Sequence, residues 1–355
     1  MAPVQFHRLQ IAEVVTETDQ AHSLVFALPD GLRDAFAYRP GQFLTLRVPV
    51  DGVPLQRCYS LSSTPEVDNA LRVTIKRVQS GRVSNWICDH LGAGDTVEVM
   101  PPAGVFTPPG LHGDFLLLAG GSGITPVLSI AKAALRHGRG AVTLVYANRD
   151  ERSIIFREAL AELARNHPGR LRVIHWLDSV QGPPTQRQIE ELVRPWSVAQ
   201  CFVCGPGPFM DGAQAALQAL GVPRGQLHVE RFVSLPDVPV AKAPASGVAS
   251  AGDTAPASPA PAMRGAALTV QLDGETHHVG VAPDETVLDA LQRAGVAAPN
   301  SCRAGLCGAC MCQVTQGDVT LGENHVLDRT DLEAGWTLAC QARPSSGEIH
   351  LKFPD

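Results

Sequence analysis

The sequence predicts a multidomain chain: an antiparallel β-barrel, then an α/β domain on a parallel sheet, then a small α+β domain. Three observations carry this expectation. Short segments of alternating apolar and polar residues, separated by Gly and Pro, run from Phe6 to about Val99. From Phe115 onward, apolar strands alternate with helical stretches. Between Ser234 and Gly265, 22 of 32 residues are Ala, Pro, Gly or Ser, without apolar periodicity, which reads as a linker. The expected divisions are residues 1–110, 111–233, 234–265 and 266–355.

In the first division, LRVTIKRV at 71–78 points Leu71, Val73 and Ile75 one way and Arg72, Thr74 and Lys76 the other, as a half-buried strand requires. In the second, FLLLAG is followed by a helix over Pro126–His137, VTLVYA by Ser153–Asn166, LRVIHW by Gln186–Val193, and CFVCG by Pro208–Leu220. Such alternation implies a doubly wound parallel sheet with ligands at the carboxyl ends of its strands. Beyond the linker, LTVQLDGETHHVGV reads as a hairpin around Asp273-Gly274 and ETVLDALQRAG as a helix. No internal repeats are found.

Charge narrows the function classes. The 29 basic and 35 acidic residues leave a net charge of −6, which argues against nucleic-acid binding through a basic surface. The charge is uneven: residues 266–355 hold 5 basic and 12 acidic side chains, net −7, and residues 1–233 hold 22 and 21, net +1. With 45% hydrophobic residues but no long uninterrupted apolar run and no secretory signal in MAPVQFHRLQ, the chain reads as globular, without a membrane span, and cytoplasmic.

Five of the nine cysteines fall in the last quarter. Cys302-x4-Cys307-x2-Cys310, with a fourth cysteine at 340, has the ligand spacing of a plant-type [2Fe–2S] cluster, whose two irons need four thiolates. The Gly- and Ala-rich loop lets backbone amides approach the sulfurs. Structural zinc is the plainer alternative, but it favours two separate Cys-x2-Cys pairs. Cys312 lies past the loop and reads as buried and inert.

Arg57-Cys58-Tyr59-Ser60 ends a predicted barrel strand. Its chemistry suits a flavin: Arg57 offers a fork of donors to a pyrophosphate, Tyr59 an aromatic wall, Ser60 a hydroxyl near the redox-active ring nitrogen. GRVSNWICDHL starts a helix at about Val83, whose free amides suit a second phosphate contact. A surface arginine and a core tyrosine are the bland reading. Gly120-Gly121-Ser122-Gly123-Ile124-Thr125-Pro126 follows an apolar strand, with Thr125 placed to cap a helix and Pro126 to open it, exposing amides to a dinucleotide phosphate. A plain strand–helix turn is the other reading, and Ile124 excludes a serine-hydrolase elbow. Cys204-Gly205-Pro206 places a thiol at the carboxyl edge of the sheet, and His228-Val229-Glu230-Arg231-Phe232 offers an acid and a ring. Buried Cys and Phe are also ordinary core residues.

Taken together, RCYS, SNW, GGSGITP, CGPGPFM, ERF and the C-terminal cysteines resemble the ferredoxin–NADP reductase superfamily over nearly the whole chain. The domain order resembles the reductase components of multicomponent oxygenases. RCYSLSSTP, TIKRVQSGRVSNWICDHL, YANRDERSIIF and HWLDSVQG are most similar to the group serving 3-ketosteroid 9α-hydroxylases, with phenylacetyl-CoA epoxidase reductases as the neighbouring group. The resemblance implies an FAD-binding barrel, an NAD(P)-binding domain and a β-grasp ferredoxin-like domain. It implies FAD held by Arg57, Cys58, Tyr59 and Ser60, with Lys76 and Arg82, Val83 and Ser84 farther along. It implies a nicotinamide pocket at Gly120, Gly121, Gly123, Thr125, Cys204 and Gly205, with Phe232 shielding the flavin, so that Ser60, Cys204, Glu230 and Phe232 form the candidate catalytic set. Arg149 suits a 2′-phosphate, yet the steroid-hydroxylase relatives favour NADH, so NADH is expected and NADPH stays open. The implied activity is transfer of electrons from NADH through FAD and [2Fe–2S] to a terminal oxygenase. A Rieske centre at roughly −150 to +300 mV lies downhill of a plant-type cluster at about −400 mV. A redox-sensing protein without turnover is the alternative of different class.

Overall fold

The computed structural model describes residues 6–354 except 198, 233–264, 273, 301–302, 306–307, 325 and 328. The expected linker therefore lies outside the described residues apart from Gly265, as do Asp273 of the expected hairpin turn and the cysteines at 302 and 307.

The first domain comprises β1 (His7–Thr18), β2 (Ala21–Ala27), β3 (Phe43–Val50), β4 (Val53–Ser60), β5 (Leu71–Lys76), α1 (Arg82–His90) and β6 (Thr96–Val99). Its antiparallel sheet runs β4-β3-β6-β1-β2-β5. Leu61, just past β4, bridges to Val73 of β5 and so brings the two edges together into a barrel. Leu9, Ile11, Leu24, Phe26, Leu44 and Val73 fill the interior, and α1 adds Val83 and Ile87 to the same core. In β5, Leu71, Val73 and Ile75 are buried as alternation requires. Thr74 is buried on the other side, where its hydroxyl meets those of Ser23 at 2.7 Å and Ser62 at 3.3 Å.

The second domain comprises β7 (Phe115–Gly120), α2 (Ile124–His137), β8 (Val142–Asn148), α3 (Arg157–Asn166), β9 (Leu171–Leu177), α4 (Asp178–Gln181), α5 (Gln186–Val193), β10 (Gln200–Gly205), α6 (Gly207–Ala219) and β11 (Leu227–Arg231). Its sheet runs β11-β10-β7-β8-β9 and is parallel throughout. Helices cover both faces, which is why β7 and β8 are buried at every residue and read as unbroken apolar runs. The order reverses between β7 and β10, and such a switch point opens a crevice at the carboxyl ends.

Three expectations are corrected here. Helix α2 starts at Ile124, after a 3-10 turn over Gly121–Gly123, so Thr125 is no cap: its hydroxyl donates to Ser122 O at 3.0 Å. Pro126 consequently sits within the first turn, where its missing N–H has no partner to lose. The stretch over 153–166 divides into a 3-10 turn, Glu151–Ser153, and α3, because Phe156 turns left-handed at φ +60°.

The first two domains share a core: Ala21 and Phe106 of the barrel side pack with Ile124, Val127 and Leu128. Across the same seam Ser129 Oγ donates to Ser63 O at 2.6 Å, Thr64 Oγ1 donates to Ser129 O at 3.0 Å, and Lys132 pairs with Asp68 at 3.0 Å.

The third domain comprises β12 (Ala266–Leu272), β13 (Glu275–Val281), α7 (Val287–Arg293), β14 (Met311–Gln316), β15 (Val319–Leu321), α8 (Arg329–Glu333), β16 (Trp336–Leu338), β17 (Ala342–Pro344) and β18 (Glu348–Lys352). Its mixed sheet runs β13-β12-β18-β14-β16, and Thr286 caps α7 by accepting from Asp289 N at 3.2 Å. Buried Val287, Leu288, Ala290 and Leu291 pack α7 onto the sheet core, the β-grasp arrangement. Among the described residues no helix is long and apolar enough to cross a membrane.

Gly123 holds the switch point together. A Cβ there would lie 2.1 Å from Cys204 O, so the turn after β7 and the end of β10 touch through backbone alone. Gly123→Ala is expected to lower stability by about 1–3 kcal/mol through overpacking. Gly207→Ala, where no atom lies within 4 Å of the added carbon, should be neutral. Denaturant titration of both variants checks the contrast.

Candidate functional site

A cavity of about 570 Å3 opens where the three domains meet. Arg57, Cys58 and Ser60 line it from β4, His228, Glu230 and Phe232 from β11 and the residue after it, and Met311 and Leu327 from the third domain. Barrel closure brings the end of β4 here, and the parallel register sets Glu230 beside Cys204 of β10. Ser60, 4% exposed, donates its hydroxyl hydrogen to Glu230 Oε2 at 3.3 Å. Burial raises the Glu230 carboxyl to about 8, partly opposed by that hydrogen bond, so the acid holds its proton at neutral pH. Burial, and then the Glu230 carboxylate, push the Cys204 thiol well above its ordinary range. Cys204 is fully buried among core residues and remains a thiol.

The rest of the RCYS group is divided between core and cavity. Arg57 donates to Gln56 O at 2.8 Å. The sulfur of Cys58 lies 3.4 Å from Thr45 Oγ1. Tyr59 packs against the barrel core, and its burial raises the phenol's pKa. Phe232 is 44% exposed at the cavity wall. Near the start of α1, Arg82 pairs with Asp51 at 3.0 Å on the surface, Val83 points into the barrel core, and Ser84 Oγ accepts from Val78 N at 3.3 Å. The start of the helix also offers its first backbone amides.

A second, cationic cavity lies between β5 and the switch point, lined by Lys76, Arg77, Asn85 and Arg149. Lys76 Nζ stands 3.1 Å from where a Gly121 Cβ would be, and Gly121 itself is left-handed at φ +51°. Burial and the Arg149 charge lower the Lys76 pKa. Glycines 120, 121 and 123 are buried at this turn. Two residues without a role in the sequence analysis also reach this edge of the sheet. Both side-chain polar atoms of Asn148 are buried without a hydrogen-bond partner, as is Asp178 Oδ1, whose carboxyl is raised by burial. The signal available in the sequence was a polar residue directly after each of two apolar strands.

Of the four candidate cluster ligands, Cys310 and Cys340 are described; they are 3% and 5% exposed and lie in one core. A hydrogen bond from Cys310 outweighs burial and, with the Gly305 amide, holds Cys340 below the ordinary thiol range. Arg303, Gly305 and Gly308 all have positive φ, and a Cβ on Gly305 would meet Glu323 O at 2.0 Å. Paired sulfurs, one of them facing a backbone amide, and a loop of inverted residues suit an anionic iron–sulfur group. Cys312 is completely buried with its thiol raised to about 12 by burial, so it stays protonated.

Similarity to known proteins follows this layout. Residues 8–107 match the oxidoreductase FAD-binding domain, 117–215 the oxidoreductase NAD-binding domain, and 270–345 the 2Fe-2S iron-sulfur cluster binding domain. The ferredoxin reductase component of 3-ketosteroid-9-alpha-monooxygenase from Mycobacterium tuberculosis is 50% identical over 354 residues, covering 98% of this chain and 96% of that protein. A component of the 1,2-phenylacetyl-CoA epoxidase from Escherichia coli is 35% identical, covering 98% of each chain. Phthalate dioxygenase reductase, described as a modular structure for electron transfer from pyridine nucleotides to [2Fe-2S], superposes with a TM-score of 0.56 at 25% identity over 98% of both chains. With three redox domains matched in this order and relatives aligned nearly end to end, the chain belongs to the family of flavin- and iron–sulfur-dependent reductase components of oxygenases.

Proposed function

We propose that this oxidoreductase is the NADH-dependent, cytoplasmic component that supplies a terminal oxygenase of Rieske type, the 3-ketosteroid 9α-hydroxylase. The higher identity to the steroid relative than to the epoxidase relative supports that order of readings. The observation that carries the reading is the shared cavity, which sets Ser60 and Glu230 across from Met311, the neighbour of Cys310. When bound, FAD would accept one hydride, and with it two electrons, from NADH and release those electrons singly to the [2Fe–2S] cluster.

The chain's own residues position and tune. Arg57, Cys58, Tyr59 and Ser60, with the first amides of α1, hold the flavin. Lys76 and the Gly120–Gly123 turn neutralise and cradle the dinucleotide pyrophosphate. Glu230 keeps a neutral acid against the cavity, and Phe232 covers its wall. Cys302, Cys307, Cys310 and Cys340 bind the cluster. Asp178 takes the place of the acidic residue that accepts from a ribose 2′-hydroxyl and repels a 2′-phosphate, which counters Arg149 and supports NADH. The acidic third domain suits a basic patch on the oxygenase.

Cys310→Ser should abolish the cluster's visible absorption and cytochrome c reduction while leaving NADH-driven ferricyanide reduction through the flavin. Equal loss of both activities would refute the order of carriers. Because Glu230 is a carboxyl raised to about 8, it is neutral at pH 7 and ionises as pH rises through that value. The NADH kcat/KM should fall across that range, and Glu230→Gln should flatten the fall. The sign for stability agrees: this group's contribution is full below the ordinary carboxyl value and is lost as pH climbs towards 8. Asp178→Ser should shift the NADPH to NADH ratio of kcat/KM towards NADPH by about tenfold, equal to ~1.4 kcal/mol; an unchanged ratio would remove Asp178 from cofactor selection.

A further inference from the structure

The third domain is joined to the second by an ion pair at the cavity rim. Arg224 opens the 3-10 turn, Arg224–Gln226, that leads into β11, and its guanidinium meets the Asp331 carboxylate of α8. Both residues line the large cavity. The same cavity is lined by the apolar side chains of Val222, Leu227 and Phe232 from the second domain and its end, and of Met311, Val326 and Leu327 from the third. Met311 directly follows Cys310, so this face of the third domain is the one that brings a candidate cluster ligand to the cavity. The wider charge balance points the same way, since residues 266–355 carry net −7 against net +1 for residues 1–233.

Tethering sets the energy scale. Two parts of one chain meet at an effective concentration rather than a bulk one, so a weak contact can decide how often they are seated. A half-exposed ion pair is weak, sensitive to salt and directional. Arg224 is 51% and Asp331 29% exposed, which keeps their attraction open to screening.

We propose that Arg224 and Asp331 are positioning residues for electron entry: their ion pair seats the third domain on the flavin cavity with Met311 against it. The proposal rests on the reading of the cavity as the flavin site. It separates two steps, because flavin reduction by NADH needs only the first two domains, whereas cluster reduction needs the seat.

Stopped-flow mixing of the holoenzyme with NADH resolves the two, as flavin bleaching and as cluster bleaching, and small-angle scattering reports compactness independently of turnover. Arg224→Glu should leave flavin bleaching unchanged, slow cluster bleaching by about fivefold, the upper end of what loss of an exposed pair supplies, and enlarge the radius of gyration. Asp331→Arg, on the other domain, should do the same, and raised salt should move the wild type in that direction. The double reversal, Arg224→Glu with Asp331→Arg, should restore both the rate and the compactness. Unchanged cluster bleaching and scattering in both single variants would overturn the latch, as would slowed bleaching in both that the double reversal fails to rescue. Failure of NADH to bleach any flavin in the wild type would instead overturn the reading beneath it.

Discussion

The close approach of two backbones at the switch point is the constraint on which the other features depend. Gly123 lies against the carbonyl of Cys204, and Gly205 against the Gly120 backbone, where an added Cβ would stand 2.9 Å from Gly120 N. No side chain fits between the turn after β7 and the end of β10. Bringing these ends together creates the crevice at the carboxyl edge, aims the start of α2 into it, and places β11 so that Glu230 reaches Ser60 of the barrel. The seam of Ser63, Thr64, Asp68, Ser129 and Lys132 then holds barrel and sheet in one orientation.

The electrostatics follow from that geometry. Cations gather at the second cavity, where Lys76 and Arg149 face each other closely enough for the charge of one to depress the pKa of the other. At the large cavity, burial keeps Glu230 protonated and lowers the His228 pKa, and Cys204 behind Glu230 keeps its hydrogen, while Arg57, Arg224, Arg231 and Asp331 also line the cavity. A cationic edge attracts a dinucleotide phosphate, and a carboxyl kept neutral beside Ser60 adds no fixed charge at that point to a ring that must pass electrons on. The third domain inverts the pattern, with its cysteine loop turning backbone into a sulfur pocket that stabilises thiolate.

Much of the fold was legible in the sequence because its elements are set by local rules. FLLLAG, VTLVYA and CFVCG became buried parallel strands, since a sheet covered on both faces needs unbroken apolar runs, and LRVIHW became the edge strand β9, buried only at Leu171. Expectations missed where tertiary contacts override local preference. Thr125 has the chemistry of a cap, yet the preceding 3-10 turn shifts the helix start to Ile124 and leaves its hydroxyl to bond Ser122 O. Strand β11 went unread because a five-residue segment ending LHVER, half-buried at every position, shows neither period; only pairing with β10 defines it.

What the sequence determined by itself is the chemical inventory. Cysteine spacing, the RCYS group and the glycine-rich turn state which cofactor chemistries the chain can support, because ligand number and backbone conformation are properties of short segments. Tertiary structure decided which of these residues act together. Ser60 and Glu230 are 170 positions apart and meet only through barrel closure and parallel register. Arg224 and Asp331 carry no motif at all, and Asn148 and Asp178 lie within YANRDERSIIF and HWLDSVQG without a role of their own there. Their significance comes from burial without partners or from facing one another across a domain boundary, and both are products of packing that no local pattern encodes.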